Sequence, residues 1–334
     1  MKRAASLILA LAVILSELNL AVFASEANPN NEHVIILRKV SERSVSPNKL
    51  KNNDTFFLLT NARETATDIT SELESGAKEI TESGAYIVSS LNTENTITVK
   101  TGVTAELTLD NVSVITAATA QAPPIKLEAG AKLTLHLSGI NTITSSVSGY
   151  AGIAVLATKA EKAILTIDGE GTLNVTSTAK AAAIGANQST AAFENGDKTF
   201  GEVIINGGII NAHAKATAAA IGDSASCTGG GPITINDGII TAEASTAAAG
   251  IGVTGPSSRN PLKTVINGGY VKVIGESKGI GFGSKATLEV NGGSVNANIT
   301  KPTVITNSDG QELIKTTLAF ADGTAMANKQ LTDK

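Results

Sequence analysis

A repeated phrase built on Asn-Gly-Gly or Asn-Asp-Gly constrains the fold of this chain more than any other feature. Four copies read as strand, turn and strand: VIINGGIINAHA, TINDGIITAEA, TVINGGYVKVI and LEVNGGSVNANI. The last glycines of these turns, Gly208, Gly238, Gly269 and Gly293, are separated by 30, 31 and 24 residues. Repetition on this scale is typical of solenoids, in which each unit buries its apolar face only against its neighbours. We therefore expect a stack of similar coils.

A second short motif follows each turn. It reads AAAIG ending at Gly185 and again at Gly222, AAGIG ending at Gly252, and KGIG ending at Gly281. The stretches between these motifs and the next strand are rich in Gly, Pro, Ser and Asn, which is typical of loops. A 24-residue unit is close to one coil of a parallel β-helix with three short strands. The sequence therefore predicts an all-β parallel β-helix whose loops stack along one edge.

Alternation along the strands assigns their side chains to the interior or the exterior of the coil. The residues expected to point inward are Val203, Ile205, Ile233, Ile235, Leu288 and Val290 before the turn, and Ile210, Ala212, Ile240, Ala242, Val271, Val273, Val295 and Ala297 after it. The residues expected to point outward are Asn211, His213, Thr241, Glu243, Lys272, Ile274, Asn296 and Asn298. Coils stacked about 4.8 Å apart turn each set into a column.

The turn residue recurs at one equivalent position. The expected members of this column are Asp168, Asn206, Asn236, Asn267 and Asn291, with Asp110 as a further candidate. Asn tolerates the left-handed backbone conformation, and stacked amides can hydrogen-bond from coil to coil. The glycines that follow supply positive φ angles. We interpret this column as structural.

The N-terminus has the pattern of a secretory signal. Lys2 and Arg3 precede a short apolar run, and small residues at Val22 and Ala24 predict cleavage after Ala24. We assign 1–24 to the signal peptide, 25–78 to a leader and N-terminal cap that contains a short helix, 79–300 to the β-helix, and 301–334 to a C-terminal cap or truncated β module. No later segment reaches 18 apolar residues, so we expect a secreted mature chain without a membrane span.

Net charge and cysteine content argue against two features, a nucleic-acid partner and an intrachain disulfide. The formal net charge is −4, which argues against a nucleic-acid partner. Cys227 is the only cysteine, so no intrachain disulfide is expected. Its thiol is either buried or used between molecules.

Several stretches resemble a known family. They are ITESGAYIVSSLNTENTITVKTGVTAELTLDNVSVI, IKLEAGAKLTLHLSGINTI, the INGG and AAAIG repeats, and TNSDGQELIKTTL, which together span about residues 79 to 320. They are similar to secreted, right-handed parallel β-helix surface proteins of Gram-positive bacteria, of the carbohydrate-binding-domain or β-strand-repeat type. The resemblance implies a cell-surface or extracellular role in glycan binding or adhesion, with no shared catalytic motif.

Three functions remain open from the residues. The first, which we favour, is a non-enzymatic module that binds extracellular polysaccharide or a surface protein. The ligand-binding candidates are Glu194, Asp197, Lys198, Asp223 and Arg259 in the loops, and Asn211, His213, Glu243, Tyr270 and Lys272 on or beside the outward columns. No cofactor is expected, although Ca²⁺ between loops is left as an alternative.

The second function is a polysaccharide lyase or glycoside hydrolase, which needs acidic groups that face one groove. Acidic residues are sparse in the repeats, so no catalytic residue is assigned. The third is an ice- or mineral-binding surface. It would use a threonine column of Thr108, Thr134, Thr166 and Thr234, which Ile204, Val265 and Glu289 interrupt.

Overall fold

The structure is a computed structural model. In it the chain forms two compact units, residues 1–65 and residues 66–334. In the first unit it describes residues 20–27, 33–39 and 57–59. In the second it describes residues 66–178, 180–188, 199–215, 217–224, 227, 229–245, 248–252, 262–275, 278–280, 287–299, 304–306, 312–314 and 318–319.

The described part of the first unit is a three-stranded antiparallel sheet. Its strands are Leu20–Ala27, His33–Lys39 and Phe57–Leu59, and the middle strand in sequence pairs with both others. The expected cleavage site after Ala24 lies within the first of these strands. The signal peptide stays a prediction.

The second unit is a right-handed parallel β-helix, which confirms the expected fold class. Most coils contribute one strand to each of three parallel sheets, in the order first, second and third sheet. The first sheet contains Thr67–Asp68, Gly84–Ser89, Thr104–Asp110, Lys132–Ser138, Ile164–Gly169, Glu202–Ile205, Ile233–Ile235, Lys263–Ile266, Thr287–Val290 and Val304–Thr306. The second sheet contains Asn92–Thr93, Ser113–Ile115, Ile140–Ser145, Thr172–Ser177, Ile209–Ala214, Ile239–Ala244, Tyr270–Gly275 and Ser294–Ile299. The third sheet contains Lys78–Ile80, Ile97–Val99, Ile125–Leu127, Ile153–Ala157, Ile184–Gly185, Ile221–Gly222, Ala249–Gly252 and Lys278–Ile280.

The N-terminal end carries the expected short helix, Thr70–Ser75. The side chain of Leu73 on this helix is buried, and the Asn95 Nδ2 group donates a hydrogen bond to the Leu73 carbonyl oxygen at 2.9 Å. The helix follows the first strand of the first sheet, Thr67–Asp68, which lies before the expected solenoid boundary at residue 79. The parallel stack therefore begins inside the region assigned to the cap.

Antiparallel strands end the stack at the other side. Glu312–Ile314 pairs with Val304–Thr306 in the first sheet, and Leu318–Ala319 pairs with the end of Ser294–Ile299. The assignment of residues 301–334 to a C-terminal cap or truncated β module stays a prediction.

The core lies between the three sheets and follows the predicted alternation. Every residue expected to point inward is buried. The third sheet adds an isoleucine column that continues through seven coils, formed by Ile97, Ile125, Ile153, Ile184, Ile221, Ile251 and Ile280. Identical apolar side chains stack at the same depth because each parallel strand repeats the register of its neighbour.

The connections from the third sheet to the first hold the longer insertions, as predicted. Part of one insertion pairs with the C-terminal end of the third-sheet strand Ile153–Ala157. Thr199–Phe200 pairs antiparallel with Leu156 and Ala157, and Gly229–Gly230 pairs with Thr199–Phe200. The Phe200 side chain is 1% exposed, so this aromatic ring belongs to the core and offers no platform for a sugar.

Candidate functional site

The outer side of the second sheet is the best candidate for a contact surface, and we call it the second-sheet face. Its outward side chains form three parallel columns that run along the stack of coils. The apolar column contains Ile140, Thr172, Ile209, Ile239 and Tyr270. The middle column contains Ser113, Thr142, Asn174, Asn211, Thr241, Lys272 and Asn296. The third column contains Ile115, Thr144, Thr176, His213, Glu243 and Ile274.

The apolar column exposes large side chains to solvent. The exposed fractions are 65% for Ile140, 38% for Ile209, 50% for Ile239 and 37% for Tyr270. A single exposed isoleucine needs no explanation, but exposed Ile209, Ile239 and Tyr270 in three consecutive coils mark an interaction surface. Strand alternation in the sequence already predicts this exposure, because an inward Ile210 requires the neighbouring Ile209 to point outward. Our sequence reasoning missed Ile209 and Ile239 because its outward set began two residues later, at Asn211 and Thr241.

The middle column offers hydrogen-bonding groups beside this apolar column. The Asn211 Nδ2 group donates to Asn174 Oδ1 at 2.9 Å in the preceding coil. The Asn174 Nδ2 group in turn lies 3.5 Å from the Asn141 carbonyl oxygen, at the limit of a hydrogen bond. An amide side chain has two donors and a carbonyl acceptor, so each keeps capacity for a ligand after one such bond. The amides are thereby held in a defined orientation.

Five of the predicted site residues come together on the second-sheet face. Tyr270 lies in the apolar column, Asn211 and Lys272 lie in the middle column, and His213 and Glu243 are neighbours in the third column. The Ser245 hydroxyl lies 3.5 Å from His213 Nε2. The two charged residues of this group have opposite sign, so the face is close to neutral.

The loop candidates do not form a described site. Asp223 is 1% exposed, and its backbone N–H donates to the Gly252 carbonyl oxygen at 3.0 Å. The expectation of an accessible Asp223 in a loop is therefore wrong, because the residue directly follows the third-sheet strand Ile221–Gly222 and hydrogen-bonds to the next coil. Its neighbour Ser224 is buried as well and donates to the Asn187 carbonyl oxygen at 2.8 Å. Glu194, Asp197, Lys198 and Arg259 lie outside the described residues.

The predicted amide ladder at the turn is confirmed. Asn236 donates to Asn206 at 2.7 Å, Asn267 donates to Asn236 at 2.7 Å, and Asn291 donates to Asn267 at 2.8 Å, all between side-chain amides. None of these asparagines has a positive φ angle. The last glycine of each turn adopts that conformation instead, for example Gly208 with a φ of 86°. Asparagine is therefore required here by its amide and not by backbone conformation.

The same column changes its chemistry toward the N-terminus. Asp168 occupies the predicted position, but the next members are His136 and Thr108, and Asp110 pairs instead with Ser138. The expected places of Asp110 in the turn column and of Thr108 in the threonine column are both wrong. The register pairs Thr108 with His136 and His136 with Asp168, so Asp110 lies two residues beyond the position of the turn column.

A small acid–base cluster results from this register. His136 Nδ1 lies 2.5 Å from Asp168 Oδ1, and His136 Nε2 lies 3.8 Å from Glu106 Oε2. Glu106 belongs to the adjacent column, together with Thr134, Thr166, Ile204, Thr234, Val265 and Glu289. No motif in the sequence indicates this cluster, because its members are about 30 residues apart in the chain.

Two other carboxylates are held in their charged form. Burial alone would raise the pKa of Glu128, but the ammonium groups of Lys100 at 2.7 Å and Lys126 at 3.1 Å outweigh burial and lower that pKa below its usual value. The pKa of Glu289 is lowered by hydrogen bonds from Asn291 and Lys263, both to its carboxylate. Both arrangements are ion-pair networks between coils.

The described residues contain no cluster of three or more His, Cys, Asp or Glu side chains that could hold a metal ion. Within the same residues, no helix has the length and apolar character needed to cross a membrane. Cys227 is partly buried and packs against the core. A shallow depression borders Ile140 and Thr172 at the start of the apolar column and includes Ser138 and Glu170.

Comparison with known proteins adds no functional information. No family model matches the chain. The chain also has no significant similarity to a curated protein or to a solved structure. The evidence for the parallel solenoid is therefore the structure itself. Membership of the Gram-positive surface family stays a prediction.

Proposed function

We propose that this chain is a secreted, non-enzymatic β-solenoid that binds extracellular polysaccharide or a cell-surface partner. The second-sheet face is its contact surface. The observation that carries the proposal is the pairing of an exposed apolar column with an adjacent column of amides and hydroxyls. Carbohydrate recognition combines burial of apolar ring faces with hydrogen bonds to hydroxyl groups.

A rigid solenoid suits a repeating ligand. Parallel strands repeat the same side-chain position every coil, so Ile209, Ile239 and Tyr270 present one contact at a regular interval. A polymer can use several of these contacts at once, which raises affinity without a deep pocket. Adhesion of the secreted protein to a cell surface follows if the polymer belongs to that surface.

A pull-down tests this function. The mature chain, starting at Ser25, is incubated with insoluble and soluble polysaccharides with and without Ca²⁺, and released sugar ends are assayed in the same samples. We expect retention without release. A variant with Ile209→Ser, Ile239→Ser and Tyr270→Ser is expected to lose retention.

The matched control carries Ile204→Ser and Val265→Ser, which make the same kind of change on the outer side of the first sheet. We expect this control to be retained like the wild type. Retention of the triple variant at the wild-type level would exclude the second-sheet face, and no retention of the wild type by any polysaccharide would exclude carbohydrate binding.

A second candidate function is polysaccharide cleavage, and one observation favours it. His136 lies between the carboxylates of Asp168 and Glu106 on the outer side of the first sheet. A histidine oriented by a carboxylate can exchange a proton with a substrate. Release of reducing or unsaturated ends by the wild type, and its loss in His136→Asn, would support cleavage and overturn the non-enzymatic proposal.

A further inference from the structure

We propose that the second-sheet face takes an uncharged, extended polysaccharide whose chain runs parallel to the solenoid axis, with one sugar residue against each coil. This inference rests on the proposed function and specifies the class and the orientation of the ligand. It follows from three properties of the face: the spacing of its columns, their chemistry and their charge.

The spacing along the axis matches a sugar polymer. Register pairs Ile209 with Ile239, and Ile239 with Tyr270, so equivalent side chains are one coil apart. Parallel strands lie about 4.8 Å from each other, and one residue of an extended β-linked pyranose chain advances by nearly the same length. A chain laid along the apolar column therefore meets an equivalent contact at each successive sugar. A chain laid across the strands would meet three different columns within a single coil.

The chemistry across the face matches the two sides of a sugar ring. A pyranose has an apolar C–H face and an edge of hydroxyl groups. The apolar column and the middle column are two residues apart on each strand, about 7 Å. With its C–H face on Ile239, a ring can direct hydroxyls toward Thr241 and, in the preceding coil, Asn211. The bond from Asn211 to Asn174 holds this amide in place before the ligand arrives.

The charge of the face selects a neutral polymer. Among the described outward residues of the apolar and middle columns, Lys272 alone carries a charge, and Glu243 in the third column is of opposite sign. A polyanion would lose hydration of a charged group at every coil, but it would meet a positive charge at only one coil, at Lys272. A neutral polymer has no such cost.

The first test compares neutral with anionic polymers. Native affinity electrophoresis of the mature chain is run in gels that contain hydroxyethyl cellulose, glucomannan or galactomannan as neutral probes, and polygalacturonate or alginate as anionic probes. We expect retardation by at least one neutral polymer and none by the anionic ones. Retardation by the anionic polymers alone would overturn this inference and leave carbohydrate binding standing. Absence of retardation in every gel would contradict the proposed function itself.

The second test measures orientation with oligosaccharides of two to eight residues prepared from a polymer that retards the protein. Titration calorimetry is expected to show affinity that rises with length and levels off near three residues, because apolar side chains occupy three consecutive coils at Ile209, Ile239 and Tyr270. Ile239→Ser is expected to weaken binding about tenfold at every length. Tyr270→Ser is expected to shorten the length at which affinity levels off.

Ile204→Ser on the first sheet is the matched control, and we expect it to bind as the wild type does. An affinity that does not change beyond two residues would show that the chain crosses the strands, and this would overturn the proposed orientation. An equal loss from Ile204→Ser and Ile239→Ser would have the same consequence, because it would show that the second-sheet face is not the place of contact.

Discussion

Gly222 lies in the third sheet, where adjacent coils approach each other closely. A Cβ atom at this position would lie well under 3.0 Å from the Gly252 carbonyl oxygen, which is closer than real Cβ atoms come. The oxygen belongs to the backbone and accepts a hydrogen bond from the Asp223 N–H at 3.0 Å. It therefore cannot move away by a side-chain rotation. Gly222 also has a φ of 140°, a conformation that alanine rarely adopts.

We therefore expect Gly222→Ala to be severely destabilising. The unfavourable φ costs about 1–3 kcal/mol, and displacement of the Gly252 carbonyl weakens at least one backbone hydrogen bond, about 1 kcal/mol. Opening the stack between two coils also loses packing on both sides, which brings the expected total to about 4 kcal/mol or more. At this magnitude a folded variant is recovered poorly or not at all.

Gly102→Ala is the matched control, because Gly102 also has a positive φ, 78°, but a Cβ there meets nothing within 4 Å. We expect it to lose about 1 kcal/mol from backbone strain alone. Both variants are compared with the wild type by urea unfolding, followed by far-ultraviolet circular dichroism. Equal losses in the two variants would refute the reasoning, because only Gly222→Ala creates a close contact with Gly252.

Three further predictions concern single side chains. Asn236→Ala removes two amide hydrogen bonds of the turn ladder and is expected to lower the free energy of unfolding by about 1–2 kcal/mol; an unchanged urea midpoint would contradict a stabilising ladder. Ser177→Ala is expected to raise stability by about 1 kcal/mol, because the Ser177 hydroxyl is buried without a hydrogen-bond partner. The Ser145 hydroxyl lies 3.5 Å from the Val147 carbonyl oxygen, so Ser145→Ala should not share that gain when the two variants are compared by thermal unfolding. Glu128 has a lowered pKa in the fold, so its stabilisation is present above its ordinary value of 4.5 and is lost as the pH falls through the folded-state pKa. Glu128→Gln is therefore expected to flatten the acid side of the stability profile, and an unchanged profile would count against the ion pairs.

The repeats of the sequence were sufficient to predict the fold. Strand alternation correctly assigned Ile210 and Ile240 to the core and Asn211 to the surface, because burial of one face of a strand leaves the next side chain outside. The column of Asn206 and Asn236 could be predicted for the same reason, since a fixed turn repeats its position in every coil. These features depend on local pattern and on the geometry that all parallel strands share.

The register of the irregular coils and the path of the loops were decided only by the tertiary structure. His136 lies beside Asp168 because the two strands pair in register from Lys132 and Ile164 onward, and no local motif marks these two residues as partners. Asp223 is buried where its backbone hydrogen-bonds to Gly252 of the next coil, although its own sequence context is that of a polar loop. Local periodicity determined which side chains face outward. Packing between segments far apart in the chain determined which of them remain exposed and which come together.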